Sequence, residues 1–321
     1  MDKRFIHVAV GVIKNTQGQI LIAKRPVHVH QGGLWEFPGG KVEPTETVQV
    51  ALARELKEEL AIEVLSSSPL IQIRHDYGDK AVMLDVHVIE HFSGNPIGVE
   101  GQEVRWVDIT GLDRYTFPAA NAPIVKAIRF PVRLAITGTA DSLQAWVNKT
   151  TRLFTHFNGG VIVRHEWLSE ISSATRLIEH LIAATREHAF IALNTNLDVF
   201  VQLQERFPTV SFQLHLNRHA LNAMAQNGQT LPSGVIVGAS CHNPEELQLA
   251  AKLGVSYAFL SPVKPTSSHP DATPLGWTLW CDWVKDVNFP VYALGGVNEA
   301  DLPQAQAAGG QGIAAISAFW V

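Results

Sequence analysis

The sequence is poor in cysteine and has no long apolar segment. Its two cysteines, Cys241 and Cys281, lie far apart and form no CxxC pair, which argues against a disulfide framework and predicts buried free thiols in a reducing cytoplasm. No apolar run approaches the roughly 20 residues that span a bilayer, and the N-terminus lacks the apolar core of a signal peptide. We therefore expect a cytoplasmic protein with no membrane partner.

Positive charge is also scarce. The formal net charge is −5, so no global basic surface is available for direct binding of nucleic acid. A composition of 46% hydrophobic and 17% charged residues is typical of a globular chain, and 321 residues suffice for two domains. An acidic protein that acts on phosphates must reverse its charge locally, and a bound divalent cation is the usual means.

The first part of the chain combines β-rich runs with two helical stretches. Residues 15–18 separate two apolar runs, which predicts a hairpin. Phe130-Pro131 marks a boundary because the residue before a proline disfavours helix, so we expect domains at 1–129 and 130–321. The predicted strands are 5–13, 19–23, 69–74, 82–91 and 103–108, and the predicted helices are about 47–60 and 122–129.

The second part has a different rhythm. Eight short apolar runs alternate with helix-like segments such as 171–187, 243–253 and 299–308. This predicts a (β/α)8 TIM barrel, with a doubly wound open sheet as the alternative. The eighth run lies close to Val321, so we expect a segment other than an eighth helix to cover the barrel wall there. The runs are 133–136, 161–164, 190–194, 212–215, 235–239, 257–260, 291–294 and 312–316.

Three glutamates follow the spacing of one helix face. Glu55, Glu58 and Glu59 are spaced i, i+3 and i+4, so a helix presents them together. Carboxylates this close repel one another, which is understandable if a divalent cation such as Mg²⁺ lies among them. For these three residues alone, a glutamate-rich surface helix is the alternative. The complete pattern, Gly40-x5-Glu46-x7-Arg54-Glu55-Leu56-x-Glu58-Glu59-x-Ala61-Ile62, arises by chance at less than about 10⁻⁷ per start position.

This pattern resembles the Nudix box. It departs at Ala61, where the family usually has glycine; alanine enters a left-handed turn less readily, so we expect an altered helix end with retained activity. The segments LIAKRP, WEFPGGKVE, GVEGQEVRWV and FPAANAPIV extend the resemblance to the MutT branch, the 8-oxo-dGTP diphosphatases, over about 4–129. It implies a Nudix α/β/α sandwich, and with the barrel a two-domain chain of the α/β and α+β classes.

The same resemblance implies the reaction and its residues. A nucleoside triphosphate such as 8-oxo-dGTP would be hydrolysed to the monophosphate and pyrophosphate, cleansing the nucleotide pool and avoiding mutation, with Mg²⁺ as cofactor or Mn²⁺ as the alternative. Glu55 is the favoured base and Glu46 the second choice, with Arg54 orienting a carboxylate. The implied metal ligands are the Gly39 carbonyl, Glu55, Glu58, Glu59 and Glu100. The implied substrate contacts are Arg25 and Lys41 at the polyphosphate, Phe37 in the base pocket and Asn121 at the purine edge.

The second part resembles thiamine-phosphate synthases and TenI-type thiazole tautomerases. The matching segments end predicted strands five to eight, where barrel enzymes keep their sites. The resemblance implies a phosphate cradle at Gly295, Gly296 and the turn at Ser317, and a catalytic role for His242. The segments are 238–242 (GASCH), 261–266 (SPVKPT), 293–297 (ALGGV) and 312–317 (GIAAIS).

Three departures argue against synthase activity. Thr195 and Ala220 stand where the synthases carry Mg²⁺-holding aspartates, and His269 stands in place of a lysine. The barrel is therefore expected to be a structural or regulatory domain, or else a tautomerase or a binder of a phosphorylated thiazole or another small phosphate.

Three functions of the whole chain stay open. The first is nucleotide-pool sanitation beside a barrel of unproven activity. The second is a thiamine-related pyrophosphohydrolase whose barrel binds a related phosphate. In the third, the barrel senses a phosphorylated metabolite and modulates the hydrolase. Asn121 favours the first function, whereas the fusion of two domains favours the others.

Overall fold

The computed structural model describes residues 5–185, 190–266 and 271–321. The chain separates into two compact units, one of Met1–Arg129 with Lys285–Asn288 and one of Phe130–Val284 with Phe289–Val321. His269 lies outside the described residues. No helix in the described ranges is long and apolar enough to cross a membrane.

The first unit is built from short sheets and two α-helices within its described part. The strands are β1 (Phe5–Ile13), β2 (Ile20–Lys24), β3 (Trp35–Glu36), β4 (Gly39–Lys41), β5 (Glu63–Asp76), β6 (Ala81–Ser93) and β7 (Val104–Val107), and the helices are α1 (Val48–Leu60) and α2 (Ala122–Arg129). One sheet has the order β4-β1-β6-β5, and the other has the order β3-β2-β7. Both predicted helices are confirmed, whereas β5 and β6 are longer than predicted.

The predicted hairpin between β1 and β2 is wrong at the level of pairing. A tight turn does reverse the chain, because the Asn15 Oδ1 accepts the N–H groups of Gln17 and Gln19, each at 2.9 Å. Beyond a single bridge between Lys14 and Ile20 the strands part. β1 pairs in parallel with β6, and β2 pairs antiparallel with β7.

Helix α1 is bounded by a cap at each end. The side chain of Thr47 accepts the N–H of Val50, and Ala61 closes the helix at φ 57° and ψ 29°, its N–H directed to the carbonyls of Leu56 and Lys57. The expectation of an altered helix end is therefore wrong. Alanine adopts the left-handed conformation that glycine would take, which costs about 1–2 kcal/mol.

One hydrophobic core lies on each side of the sheets. Leu52 and Leu56 of α1 pack with Ile13 in the first core, and Ile124 of α2 packs with Val12 in the second. Successive residues of a strand point to opposite faces, so Val12 and Ile13 fill different cores. This arrangement confirms the α/β/α sandwich.

The second unit is a closed barrel of parallel strands that follow one another in chain order. This confirms the TIM barrel over the open sheet, and the strand ends lie within two residues of those predicted. The strands are β8 (Arg133–Ile136), β9 (Gly160–Val163), β10 (Ile191–Asn194), β11 (Gln213–Leu216), β12 (Val237–Cys241), β13 (Tyr257–Leu260), β14 (Val291–Leu294) and β15 (Gly312–Ala315). The helices are α3 (Leu143–His156), α4 (Ile171–Thr185), α5 (Leu197–Arg206), α6 (Arg218–Gln226), α7 (Pro244–Leu253), α8 (Gly276–Val284) and α9 (Leu302–Ala307).

A turn after β15 covers the barrel wall. The ring of Trp320 lies 5.8 Å from that of Trp146 on α3, and both are buried. Phe319 packs on Phe157, with ring centroids 4.8 Å apart.

Both cysteines are free, but only Cys241 is buried. The prediction of buried thiols is therefore wrong for Cys281, which is half-buried.

Candidate functional site

Arg54 organises the acidic face of α1. Its guanidinium donates Nε and Nη2 to the two carboxylate oxygens of Glu46, at 2.8 and 2.9 Å. Nη1 donates to Glu55 Oε1 at 2.8 Å and lies 3.4 Å from Glu58 Oε2, and Nη2 reaches the Lys41 carbonyl at 3.1 Å. One side chain thus fixes two carboxylates and ties the helix to β4, since paired charged hydrogen bonds hold both partners in one geometry.

Glu59 lies in a crowded group of carboxylates. Its Oε2 accepts the N–H of Gly39 at 3.3 Å. Burial raises the pKa of Glu59 to about 8, and the negative charges of Glu36, Glu55 and Glu100 add to the rise against the opposing Gly39 hydrogen bond. Carboxyl groups that suppress one another's ionisation in this way fit a divalent cation, which would remove the repulsion.

The glycine pair of β4 allows a close approach of backbone to carboxylate. Gly39 has φ +147°, and a Cβ there would lie 2.1 Å from the Ala9 carbonyl oxygen. A Cβ on Gly40 would lie 2.1 Å from the Cδ of Glu55. Across the described ranges, no three acidic, histidine or cysteine side chains already converge as a metal ion requires. The backbone therefore brings the donor groups into one region, and the carboxylates do not yet point at one centre.

Glu58, Glu100 and Lys41 lie on the outside of this region, and all three are exposed. The loop that carries Glu100 is held to α1 by Gln102, whose Nε2 donates to the Glu59 carbonyl at 3.0 Å. Exposed side chains on a fixed backbone can turn toward a ligand at little cost.

Arg25, the expected phosphate contact, is already engaged by protein groups. Its guanidinium forms an ion pair with Glu36 and donates Nε and Nη2 to the His30 carbonyl at 3.1 and 2.9 Å. A polyphosphate that binds Arg25 has to replace at least part of this set of contacts.

The segment that carries Asn121 packs in the same hydrophobic core as two aromatic rings, because Ala120 belongs to that core together with Phe37 and Phe117. Asn121 is buried, and its Oδ1 has no hydrogen-bond partner among the described residues. The rings of Phe37 and Phe117 stack with centroids 5.3 Å apart and planes 11° from parallel. Leaving a buried acceptor unpaired costs about 1–3 kcal/mol, so the amide is suited to a hydrogen-bond donor on a flat ligand.

Sequence reasoning overlooked Glu36, Phe117 and Tyr77. A signal existed for Glu36, which stands between the buried aromatics Trp35 and Phe37. Alternation along a strand directs such a residue to the face opposite its neighbours, and here that direction leads to Glu59. Phe117 begins the FPAANAPIV segment, which was recognised without a role for its ring. Tyr77 gave no comparable signal, because its contacts join segments distant in sequence.

At the barrel mouth, His242 is held by a buried carboxylate. Glu246 Oε2 lies 3.0 Å from His242 Nδ1 and 2.7 Å from its backbone nitrogen, and Arg218 Nε donates to Glu246 Oε1 at 2.7 Å. Burial acts to raise the pKa of Glu246, but the hydrogen bonds from His242 and Arg218 lower it overall. Glu246 therefore stays ionised and favours the tautomer of His242 that carries hydrogen on Nδ1.

The two glycines of the expected phosphate cradle have a structural explanation. Gly295 and Gly296 have φ of +90° and +68°. A Cβ on Gly295 would lie 2.7 Å from Pro262 Cα, and one on Gly296 would lie 2.4 Å from the Pro265 carbonyl oxygen. Packing and backbone conformation by themselves therefore require glycine at both positions, and these residues alone do not indicate a ligand.

The positions that lack aspartate have no free polar group. Thr195 is buried and its hydroxyl donates to the Leu168 carbonyl. Ala220 lies in the first turn of α6, where its N–H donates to the Asn217 side chain at 2.9 Å. Ser317 is exposed in the turn after β15.

Comparison with known proteins divides the chain at the same place. Residues 9–127 match the family model of the NUDIX domain, and residues 135–319 match that of thiamine monophosphate synthase. An 8-oxo-dGTP diphosphatase of Escherichia coli is 35% identical over 39% of this chain and 96% of its own length. One from Haemophilus influenzae is 39% identical over 39% of this chain and 92% of its own length. The solved structure of a thiamine phosphate pyrophosphorylase from Pyrococcus furiosus, 22% identical, covers 58% of this chain and 85% of that protein, with a TM-score of 0.46.

The first of these relatives matches over almost all of its own length, and the NUDIX family model spans the glutamates of α1. The second family model spans more than half of the chain, including every strand end of the barrel mouth from β12 to β15. The chain therefore belongs to two families, with a Nudix pyrophosphohydrolase as its first unit and a member of the thiamine monophosphate synthase family as its second.

Proposed function

We propose that residues 1–129 hydrolyse 8-oxo-dGTP to 8-oxo-dGMP and pyrophosphate with Mg²⁺, or Mn²⁺ in its place, and so remove an oxidised nucleotide from the pool. The observation that carries this proposal is the buried Oδ1 of Asn121, which has no partner in the described part of the chain. Two relatives named 8-oxo-dGTP diphosphatase support the same substrate.

The chemistry of the base explains why an amide suits this substrate. Guanine presents acceptors at O6 and N7, whereas oxidation at C8 converts N7 into an N–H donor. An asparagine amide offers one acceptor and two donors. Asn121 can then accept from N7–H through Oδ1 while Nδ2 donates to O6, and unmodified guanine would leave Oδ1 facing another acceptor. The stacked rings of Phe37 and Phe117 provide an apolar wall for the base.

The carboxylate cluster supplies the reacting end. Gly39, Glu55, Glu58, Glu59 and Glu100 would hold the divalent cation, which when bound neutralises the polyphosphate and lowers the pKa of an attacking water. Glu55 is our proposed base, because Arg54 orients its carboxylate while leaving one oxygen for the proton. Lys41, and Arg25 once released from Glu36, would bind the phosphates.

The test is a hydrolysis screen with 8-oxo-dGTP, dGTP and thiamine pyrophosphate, using the full chain. We expect 8-oxo-dGTP to have the highest kcat/KM, and Asn121→Ala to reduce its preference over dGTP by about 1–3 kcal/mol. Asn121→Asp, which keeps an acceptor but loses the donor, is the matched variant and should retain part of the preference. An unchanged ratio in Asn121→Ala contradicts base reading. Preferred cleavage of thiamine pyrophosphate would instead favour the thiamine-linked alternative.

For the barrel, residues 130–321, we propose binding of a small phosphorylated ligand such as a thiazole phosphate, without synthase turnover. The supporting observation is the group of Arg218, Glu246 and His242 at the mouth, where a half-exposed guanidinium lies beside a fixed imidazole. Thr195 and Ala220 offer no carboxylate for metal-bound pyrophosphate.

Calorimetric titration of the full chain with thiazole phosphate and with inorganic pyrophosphate tests this second proposal. We expect binding that weakens in Arg218→Gln and persists in Ser169→Ala, a surface variant of the same unit. Formation of thiamine phosphate in a coupled assay would contradict the lack of synthase activity. Absence of any binding would leave a structural or regulatory barrel.

A further inference from the structure

Tyr77 occupies the turn between β5 and β6 and joins three separate segments. Its ring is in edge contact with His30, at 5.1 Å between centroids, and with His75, at 4.4 Å. The side chain is half-buried and packs on the core that includes Ala120. These contacts hold the phenol in one place between the loop after Arg25 and the turn that precedes α2.

Contacts connect the Tyr77 side chain with both ends of the proposed nucleotide site. On one side it accepts the backbone N–H of Ala120 at 3.4 Å, directly beside Asn121. On the other side, the residue that contacts its ring is His30, whose carbonyl accepts both Nε and Nη2 of Arg25. Tyr77 therefore links the segment of Asn121 to the loop that holds Arg25.

The hydroxyl retains a hydrogen to donate. Burial raises the pKa of Tyr77, and the charge of Glu36 adds to the rise, whereas the Ala120 hydrogen bond and the charge of Arg25 act to lower it. The phenol is therefore neutral. A tyrosine hydroxyl has one donor hydrogen and two acceptor lone pairs. The Ala120 contact uses a lone pair, and in the described part of the chain no residue accepts the hydrogen.

We propose that the Tyr77 hydroxyl donates a hydrogen bond to a hydroxyl of the substrate's pentose. In any nucleoside triphosphate the sugar lies between the base and the phosphates, and Tyr77 contacts both the neighbour of Asn121 and the residue whose carbonyl holds Arg25. The group that it meets is therefore a sugar hydroxyl. Tyr77 is a specificity-determining residue for the sugar, and this role rests on the proposed nucleotide function.

The test is a cycle that removes each partner in turn. Tyr77→Phe keeps the ring contacts and deletes only the hydroxyl. Its kcat/KM is measured with 8-oxo-dGTP, with the 2′,3′-dideoxy analogue and with the ribonucleotide 8-oxo-GTP. We expect Tyr77→Phe to reduce kcat/KM for 8-oxo-dGTP by about three- to tenfold, mainly by raising KM, and to leave kcat/KM for the dideoxy analogue unchanged. A larger loss with 8-oxo-GTP assigns part of the contact to the 2′-hydroxyl.

Tyr115→Phe is the matched control. The ring centroids of Tyr115 and Trp35 lie 5.2 Å apart in an edge contact, and the Tyr115 hydroxyl interacts with Arg105. The substitution should therefore change kcat/KM for all three substrates by the same factor or not at all. Equal losses with 8-oxo-dGTP and its dideoxy analogue in Tyr77→Phe would overturn the proposal. If such equal losses occur while the wild-type protein cleaves 8-oxo-dGTP and Asn121→Ala loses selectivity, only the role of Tyr77 is refuted and the nucleotide function stands. If neither holds, the nucleotide function itself has failed.

Discussion

The hydroxyl of Tyr257 lies 3.0 Å from the Nδ1 of His215 in the centre of the barrel. The other ring nitrogen of His215 lies 2.9 Å from Ser240 Oγ, and both His215 and Tyr257 are fully buried. Burial lowers the pKa of His215 to about 3. The barrel therefore contains a neutral imidazole that links β11, β12 and β13 through hydrogen bonds.

This buried histidine predicts a loss of barrel stability in mild acid. The unfolded chain binds a proton at His215 below pH 6.5, whereas the folded chain does so only near pH 3. Between these values protonation favours unfolding, so stability decreases as the pH falls, by about 1.4 kcal/mol per pH unit for one group. The loss of stability is measured as the change in the free energy of unfolding between pH 7 and pH 4.5, from hydrogen exchange of the β11 to β13 amides.

The control for this prediction compares two histidine variants. His215→Gln should be less stable at pH 7 but should lose this contribution to the acid slope. His180→Gln, at an exposed position of α4, should keep the slope of the wild type. An unchanged slope in His215→Gln would contradict the assignment.

Glu46 is predicted to be an anchor for Arg54 and not the proton acceptor. Hydrogen bonds from the Arg54 side chain and the Glu43 backbone lower the pKa of Glu46 to about 2, so its carboxylate does not titrate where the enzyme is active. Glu46→Gln should reduce kcat by about tenfold through misplacement of Arg54, and the acidic limb of the kcat profile should not move. A displaced acidic limb, measured from pH 5 to 9, would restore Glu46 as a base.

Glu55 and Glu59 are predicted to be necessary for turnover but not for folding. Glu55→Gln and Glu59→Gln should each reduce kcat by at least about a hundredfold at saturating Mg²⁺, because each removes a charge from the cluster. The Tm should be unchanged or higher, since crowded carboxylates repel one another. Glu90→Gln, which removes only the exposed contact with Lys14, is the control and should retain full activity. Wild-type turnover in both site variants would refute the cation site.

Ala61→Gly is predicted to stabilise the first unit. The alanine holds φ +57° at the end of α1, a conformation that glycine adopts without strain, so the free energy of unfolding should rise by about 1 kcal/mol. This free energy is measured by urea unfolding, with hydrogen exchange of the β1 amides as the probe of the first unit. Ala51→Gly, at a buried position inside the same helix, should instead lower the free energy of unfolding. A destabilised Ala61→Gly would mean that alanine makes a contact which outweighs its strain.

Local patterns in the chain predicted the elements well and their partners less well. The i, i+3, i+4 spacing of Glu55, Glu58 and Glu59 gave the helix, and the alternation of short apolar runs gave every barrel strand. Pairing of β1 with β6 depends on residues about 76 positions apart and could not be read from the turn at Asn15. The packing need for glycine at 295–296 could not be predicted for the same reason, because the atoms that exclude a Cβ belong to Pro262 and Pro265.

By itself, the sequence determined two units, the order of their main strands, with β3 and β4 missed, and the family pattern that carries the hydrolase chemistry. These properties are local, since spacing and turn residues act within one element. Only the tertiary structure decided that Glu36 crowds Glu59, that Arg54 is held by Glu46, and that the Tyr77 hydroxyl meets the backbone of Ala120. Burial and charge at these positions come from segments distant in sequence, and the distances between their side chains exist only once the chain has packed.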